Sequence, residues 1–177
     1  SKRVRQDLQA PTASDNWTDN WTATSPVNIT ITPSDGTCSG IANTYYCVDT
    51  LNSCSPTTSG TSASLSCSSG QDCIQYLRYY TLDVATNTSE TYSKRIRQDK
   101  KPPTNGTLTA NPGYQQMQLS WSGFSDSGSG LATSNTYKLV YSSGATPPSD
   151  CSGTALYQGA STSYTHAGLT NGNTYSY

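Results

Sequence analysis

SKRVRQD at residues 1–7 returns as SKRIRQD at residues 93–99, and each copy is followed by a proline and a threonine at matching places. The two copies lie ninety-two positions apart. Repetition at a spacing close to the size of one β-sandwich is typical of modular arrays, in which each module contacts its neighbours. The chain is therefore expected to belong to a tandem-repeat protein.

The composition predicts strands and polar turns. A KKPP segment at 100–103 divides the 177 residues into two modules. The chain is rich in Ser and Thr, whereas Glu occurs once, at Glu90, and Met once, at Met117, which disfavours helices. Thirteen Tyr and three Trp accompany few aliphatic residues, so a core built on tyrosine is expected. No run approaches the ~20 apolar residues of a membrane span, and no membrane insertion is expected in this segment.

Six cysteines in a chain of net charge −1 favour an oxidising compartment, and we expect the protein to be extracellular or at the cell surface. Zinc binding by these cysteines is the alternative. It is disfavoured because no C-x-x-C occurs and the single histidine, His166, is far from the cysteine-rich first module.

Alternating apolar residues and β-branched or aromatic runs predict four strands in the first module. They are VNITI (27–31), NTYYCVDT (43–50), SASLSC (62–67) and IQYLRYYTLDV (74–84). The last run has apolar residues at both odd and even positions, which predicts either cover on both faces or a bulge.

The second module repeats this order in weaker form. YQQMQLSW (114–121) alternates and predicts a strand, and a second alternation at 137–141 predicts another. A turn with the ending S-G-[IL]-A occupies residues 35–42 in the first module and 126–132 in the second. The two modules are therefore interpreted as distant relatives.

Three residues of types that can bind metals or catalyse reactions, Asp35, Asp126 and His166, also have structural interpretations. Asp35 and Asp126, in the two shared turns, are expected to hydrogen-bond the turn backbone. A calcium site is the alternative, but calcium takes six or more oxygens and each turn offers one carboxylate. His166 has no nucleophile or carboxylate motif beside it and is not a credible general base.

The cysteines of the first module suggest two disulfides. Cys47 with Cys54, and Cys67 with Cys73, each bracket a short connection between predicted antiparallel strands. Sequence alone allows other pairings. Cys38 is left over, either as a free thiol or as an intermolecular bridge.

Nearly the whole chain resembles known extracellular modules. Trp121 on a predicted strand, and LTNGNTY at 169–175, resemble a fibronectin type III module, in which the corner tyrosine, here Tyr175, ties back to nearby backbone. The first module, with DVATN at 83–87, is similar to bacterial and archaeal immunoglobulin-like (Ig-like) repeats. Those repeats usually carry D-x-A-G-N, and this sequence has Thr86 in the glycine position.

The resemblance implies an all-β fold of two tandem Ig-like and fibronectin type III-like β-sandwiches. Residues 1–9 would be the closing strand of a preceding repeat, 10–100 an Ig-like sandwich with disulfides, and 101–177 a sandwich lacking its last strands. Continuation of the same chain, or strand donation by a neighbouring subunit, would complete the second sandwich. In similar modules the partner of Cys151 would lie on the missing strand.

Glycan-related features are also present. N-x-S/T glycosylation sequons begin at five positions: Asn16, Asn20, Asn28, Asn87 and Asn105. Trp17 and Trp21 lie beside the first two, and they are interpreted either as core anchors or as exposed stacking platforms for sugars.

The remaining features exclude several classes of function. Eight of the ten basic residues fall in the two junction segments, where positive charge protects edge strands or docks a neighbouring module; no nucleic-acid partner is expected at this net charge. No enzyme, cofactor or metal is predicted. The leading hypothesis is a structural module of a microbial surface fibre, stalk or sheath, with copies of itself or neighbouring repeats as partners. The alternative is an adhesin or a carbohydrate-binding spacer of a secreted protein, with surface glycans as partners.

Overall fold

The computed structural model describes residues 6–177 and divides the chain into two compact units, Ser1–Lys101 and Pro102–Tyr177. The described residues form strands and no helix, which confirms the all-β prediction. Accordingly, this part of the chain contains no helix long and apolar enough to cross a bilayer. The closing strand expected at 1–9 falls partly outside the described residues, which begin at residue 6. Residues 6–9 form no strand.

Unit 1 contains eight strands among its described residues, in two sheets. They are β1 (Thr12–Asp15), β2 (Trp21–Thr22), β3 (Val27–Ser34), β4 (Ile41–Asp49), β5 (Thr58–Ser59), β6 (Ser62–Leu65), β7 (Asp72–Asp83) and β8 (Tyr92–Asp99). One sheet has the order β1-β3-β6, and the other has the order β2-β8-β7-β4-β5. The short β2 runs parallel to β8, and the other neighbours are antiparallel. The four strands predicted in this module are β3, β4, β6 and β7.

Both sheets of unit 1 contribute to one buried core. In β3 the side chains alternate between buried and exposed, as a strand with one covered face requires. The core consists mainly of aliphatic residues: Val27, Ile29, Ile31, Ala63, Leu65, Leu77, Tyr79 and Ile96. The prediction of a tyrosine core is therefore wrong for this unit, because aliphatic side chains fill most of the space between the sheets and Tyr79 is the one buried tyrosine among the described residues.

Strand β7 has apolar residues at both odd and even positions because both of its faces are covered. Leu77 and Tyr79 point into the core, whereas Tyr80 is half-buried on the opposite face. The ring of Tyr80 stacks on Tyr45 of β4 with centroids 5.3 Å apart. The register shift of this strand pair lies in β4, between Ile41 and Asn43. Aromatic cover on the outer face therefore accounts for the apolar residues of both parities.

Unit 2 has smaller sheets and a small buried cluster with aromatic neighbours. Its strands are β9 (Thr107–Gly113), β10 (Gln116–Ser122), β11 (Tyr137–Leu139), β12 (Ser142–Ser143), β13 (Tyr157–Gly159), β14 (Ser163–Ala167) and β15 (Tyr175–Ser176). The sheets are β14-β10-β9, β11-β13 and β12-β15. Buried Trp121 lies 5.8 Å from Tyr137 and 5.7 Å from Tyr157, measured between ring centroids. The buried cluster of this unit is Leu119, Trp121 and Leu139, and its tyrosines pack against that cluster while only partly buried. The expected tyrosine core is therefore present only as a partly buried layer around it.

Candidate functional site on the repeated strand

Strand β8 carries the second copy of the repeated sequence, SKRIRQD. Its inward side chains, Ile96 and Gln98, are completely buried. The amide nitrogen Nε2 of Gln98 donates hydrogen bonds to the carbonyl oxygens of Leu65 at 3.2 Å and Thr24 at 3.0 Å. Since Leu65 ends β6 in the other sheet, Gln98 ties the two sheets together. The motif therefore belongs to the five-stranded sheet and also contributes buried side chains between the two sheets.

The basic residues in β8, and Lys100 just after it, form contacts with other residues of unit 1. Asp19 forms salt bridges with Arg95 at 2.7 Å and with Arg97 at 2.8 Å. The hydrogen bond from Arg95 holds the pKa of the Asp19 carboxyl below its usual value. Lys100 Nζ donates to the carbonyl oxygen of Ala23 at 3.0 Å. These cations are therefore largely engaged in contacts within unit 1. Protection of an edge strand and docking of a neighbouring module, the roles expected from the sequence, stay predictions.

The two tryptophans of the segment 16–22 attach it to β8. Trp17 is half-buried, packs against the core and donates a hydrogen bond from Nε1 to the carbonyl oxygen of Arg95 at 2.8 Å. Trp21 belongs to β2, and the guanidinium carbon of Arg97 lies 5.5 Å from the centre of its ring, at cation–π distance. Contacts with β8 partly bury both rings, so they resemble core anchors more than exposed stacking platforms for sugars.

Asp15 is a residue whose role sequence reasoning missed. Its side chain is 1% exposed, and Lys94 Nζ lies 3.4 Å from its Oδ2. The same oxygen accepts a hydrogen bond of 2.6 Å from the hydroxyl of Tyr79. A signal was present, because Asp15 and Asp19 each precede an Asn-Trp pair in DNWTDNWT. The doubled motif places two carboxylates opposite the basic strand.

The five sequons differ in the exposure and the hydrogen bonding of their asparagines. Four lie on exposed residues: Asn16, Asn20, Asn28 and Asn105. Asn16 accepts a hydrogen bond from the backbone N–H of Thr30 through Oδ1, which leaves Nδ2, the atom that carries a glycan, outside that contact. Asn87 is half-buried, and its Nδ2 donates to Asp83 at 2.8 Å and to the carbonyl oxygen of Asp7 at 3.3 Å. Asn87 is therefore the least suitable acceptor of the five.

The disulfides join Cys47 to Cys54 and Cys67 to Cys73, the pairs that the sequence suggested. The first bond joins Cys47 of β4 to Cys54 in the connection that leads to the antiparallel strand β5, so it does not bracket the whole connection. For the second bond the expectation of antiparallel neighbours is wrong, because β6 and β7 belong to different sheets. That bond therefore fastens one sheet to the other. Cys38 and Cys151 are exposed free thiols.

The shared turns use their aspartates in the same way. Asp35 Oδ2 accepts a hydrogen bond from the backbone N–H of Gly40 at 2.7 Å, and Asp126 Oδ1 accepts one from Gly130 at 3.0 Å. Gly40 and Gly130 have φ angles of 90° and 81°, in the left-handed region that glycine tolerates. The expected contact with the turn backbone is thus present in both units.

Two tyrosines near the end of unit 2, Tyr175 and Tyr177, each form a hydrogen bond. His166 is buried on β14, its Nδ1 lies 3.0 Å from the hydroxyl oxygen of Tyr177, and burial lowers its pKa. The hydroxyl of Tyr175 accepts a hydrogen bond of 3.0 Å from the backbone N–H of Thr170. A tie of this kind from the corner tyrosine is what the resemblance to type III modules implied.

Comparisons of the chain with protein-family models, with curated proteins and with solved structures find no match.

Proposed function

We propose that this chain is a structural segment of an extracellular tandem-repeat protein, in which successive Ig-like and fibronectin type III-like β-sandwiches build a microbial surface fibre, stalk or sheath. Such a protein has a mechanical role, which depends on the stability of its modules and on their stacking in series. Its partners are neighbouring repeats or further copies of the same chain.

The single observation that carries this proposal is the position of the repeated sequence. SKRIRQD at 93–99 lies in β8 (Tyr92–Asp99), where Ile96 and Gln98 lie in the core. The same sequence at 1–7, with valine at the position of Ile96, carries the residue types that close a sheet of this kind. Two closing segments one module apart are what an array of sandwiches requires.

Several contacts support the sandwich assignment. In unit 1 the two sheets share one core, which is the arrangement of a two-layer β-sandwich. Thr86, in the glycine position of D-x-A-G-N, has a φ of 73°, the conformation for which that position needs glycine. In unit 2 the bond between Tyr175 and Thr170 has the form of a tyrosine corner. The two disulfides suit an oxidising, extracellular environment.

Electron microscopy of the protein purified from its native source tests this function. We expect ordered filaments or sheaths with an axial repeat of one or two modules. A matched sample treated with reductant should lose order or resistance to heat, because the disulfides stabilise unit 1. Isolated beaded chains without lateral or end-to-end order would contradict the structural role.

The second candidate is a carbohydrate-binding spacer or adhesin, and the outer face of the five-stranded sheet favours it. Tyr45 and Tyr80 stack there, half-buried, and aromatic rings of this kind can pack against sugars. Glycan-array binding that is lost in Tyr45→Ala and Tyr80→Ala, and kept in the exposed control Tyr114→Ala, would establish this function. Absence of binding by the native protein would exclude it for the glycans tested.

A further inference from the structure

Three donor groups for a metal ion converge at one end of unit 1. Asp7, Asp35 and Cys38 each place one ligand atom so that all three atoms lie within 4.8 Å of one another. Asp35 and Cys38 belong to the turn that precedes β4, and Asp7 reaches that turn through its Oδ2, which accepts the backbone N–H of Ser39 at 2.7 Å. The cluster is therefore held together by the backbone of the turn.

One oxygen of this cluster has no hydrogen-bond partner in the part of the chain that the structure describes. Asp35 is more than nine-tenths buried, with an exposed fraction of 8%. Its Oδ2 accepts the backbone N–H of Gly40 at 2.7 Å, whereas its Oδ1 is buried and receives no hydrogen bond from residues 6–177. A buried carboxylate oxygen without a donor is costly. A cation bound to that oxygen would remove the cost.

The surroundings of the thiol are negative. Partial desolvation, and then the charges of Asp7, Asp35 and Asp83, raise the pKa of Cys38. Asp83 itself is fully buried and bound on both oxygens by Asn87, at 2.7 Å to the backbone nitrogen and 2.8 Å to Nδ2. Asp83 therefore adds charge next to the cluster without supplying a free ligand. A cation is favoured at this place on electrostatic grounds.

The donor set points to one class of ion. Two carboxylate oxygens and one sulfur suit zinc and the ions that resemble it, which accept both kinds of ligand at about 2.0–2.3 Å. The separations within the cluster are comparable with twice that distance, so small side-chain shifts bring one ion into reach of all three donors. Calcium would need about six or more oxygens, and the cluster offers two carboxylates.

We propose that Asp7, Asp35 and Cys38 form a binding site for a divalent ion of the zinc class, which fastens the segment before β1 to the turn before β4. Binding of the ion converts the Cys38 thiol to a thiolate, and the proton goes to solvent. The site lies within unit 1 and is separate from the contacts of β8. It also gives Cys38 a role other than that of an intermolecular bridge.

Titration of the full chain with Co²⁺ and Zn²⁺ tests this site. We expect one ion per chain, a sulfur-to-cobalt charge-transfer band with Co²⁺, and a higher unfolding temperature with Zn²⁺. Cys38→Ser, a change at an exposed position, should abolish the band and weaken Zn²⁺ binding at least about tenfold, and Asp35→Asn should weaken binding to a similar degree. If Asp35→Asn fails to fold, Cys38→Ser alone decides.

Two control variants keep the test specific. Cys151→Ser removes the other free thiol, and Asp126→Asn removes the corresponding carboxylate of unit 2, where Gly128 stands in place of a cysteine. Both should bind Zn²⁺ and Co²⁺ as the unmodified chain does. The proposal fails if Cys38→Ser keeps the cobalt band, if Cys151→Ser loses it, or if Ca²⁺ binds to the cluster and Zn²⁺ does not.

Discussion

The hydroxyl of Tyr79, in the middle of β7, donates a hydrogen bond of 2.6 Å to Oδ2 of Asp15, the last residue of β1. Both side chains are 1% exposed. The bond therefore connects the two sheets of unit 1 inside the core, next to the segment 16–22 that covers β8. Since Lys94 also reaches this oxygen, at 3.4 Å, one carboxylate links β1, β7 and β8.

Tyr79→Phe should destabilise unit 1 by about 1–3 kcal/mol, because it leaves the buried carboxylate of Asp15 without its short hydrogen bond. The ring itself would still stack on Tyr92. Urea unfolding measures the change. The control is Tyr114→Phe at a residue that is 80% exposed, which should change the free energy of unfolding little. Equal effects of the two substitutions would contradict the role given to the Tyr79 hydroxyl.

Asp19→Asn should destabilise unit 1 at neutral pH, and the difference from the unmodified chain should shrink as the pH falls into the acid range. The pKa of Asp19 is lowered in the folded state by Arg95. Its contribution is therefore complete above the unfolded value, about 3.9, and is lost as the pH falls through the folded value. Because Asp19 and Arg95 are partly exposed, the effect should stay below about 1 kcal/mol and weaken in salt. Urea unfolding at a series of pH values from about 7 down to about 2 compares the two chains; a difference that does not shrink as the pH falls would argue against the ion pair.

Removal of either disulfide by paired Cys→Ser substitution should cost about 2 kcal/mol, as expected for short loops with sequence separations of 7 and 6. The pair Cys67 and Cys73 should cost more than Cys47 and Cys54, because Cys67 is buried and its replacement leaves a hydroxyl in the core. Thermal unfolding of both double variants, with Cys151→Ser as control, checks the order. A larger loss from the Cys47 and Cys54 pair would show that the burial of Cys67 does not set the order.

Thr86→Gly should stabilise unit 1 by about 1 kcal/mol. Thr86 has a φ of 73°, and a β-branched residue is strained in this region, whereas glycine is not. The substitution leaves the Asn87 sequon intact. The control Thr57→Gly, at an exposed residue without positive φ, should instead destabilise the protein, since glycine loses more backbone entropy on folding. If Thr86→Gly also destabilises, the turn gains from the threonine side chain.

Unit 2 should lose stability as the pH falls below neutral. Burial lowers the pKa of His166 in the folded state, so the unfolded chain binds more protons between the folded value and about 6.5. Stability is then complete above about pH 6.5 and declines below it. Unfolding of unit 2, followed by the NMR signals of its residues at about pH 7.5 and about pH 5, should show this decline, and His166→Gln should remove it. Because His166 is the only histidine, an imidazole NMR titration gives its pKa directly, and a value at or above about 6.5 would refute the argument.

The sequence predicted the main strands well, because alternation of buried and exposed side chains is local information. The pattern of residues 27–31 is the clearest case. It could not show that Cys67 and Cys73 join different sheets, since loop length alone does not say which strands become neighbours. It also overestimated tyrosine in the core of unit 1. The burial of a tyrosine depends on which face of β7 lies against the second sheet, and that choice is made by packing.

By itself, the sequence determined that the chain is all-β and that SKRIRQD repeats an earlier segment, because strand periodicity and repetition are written in the order of residues. Only the tertiary structure decided what surrounds that segment. Asp19 lies seventy-six positions from Arg95 along the chain, and Asp7 lies twenty-eight positions from Asp35. Contacts between such distant residues form only when the sheets fold over one another, so the ion pairs of β8 and the proposed metal site are properties of the fold.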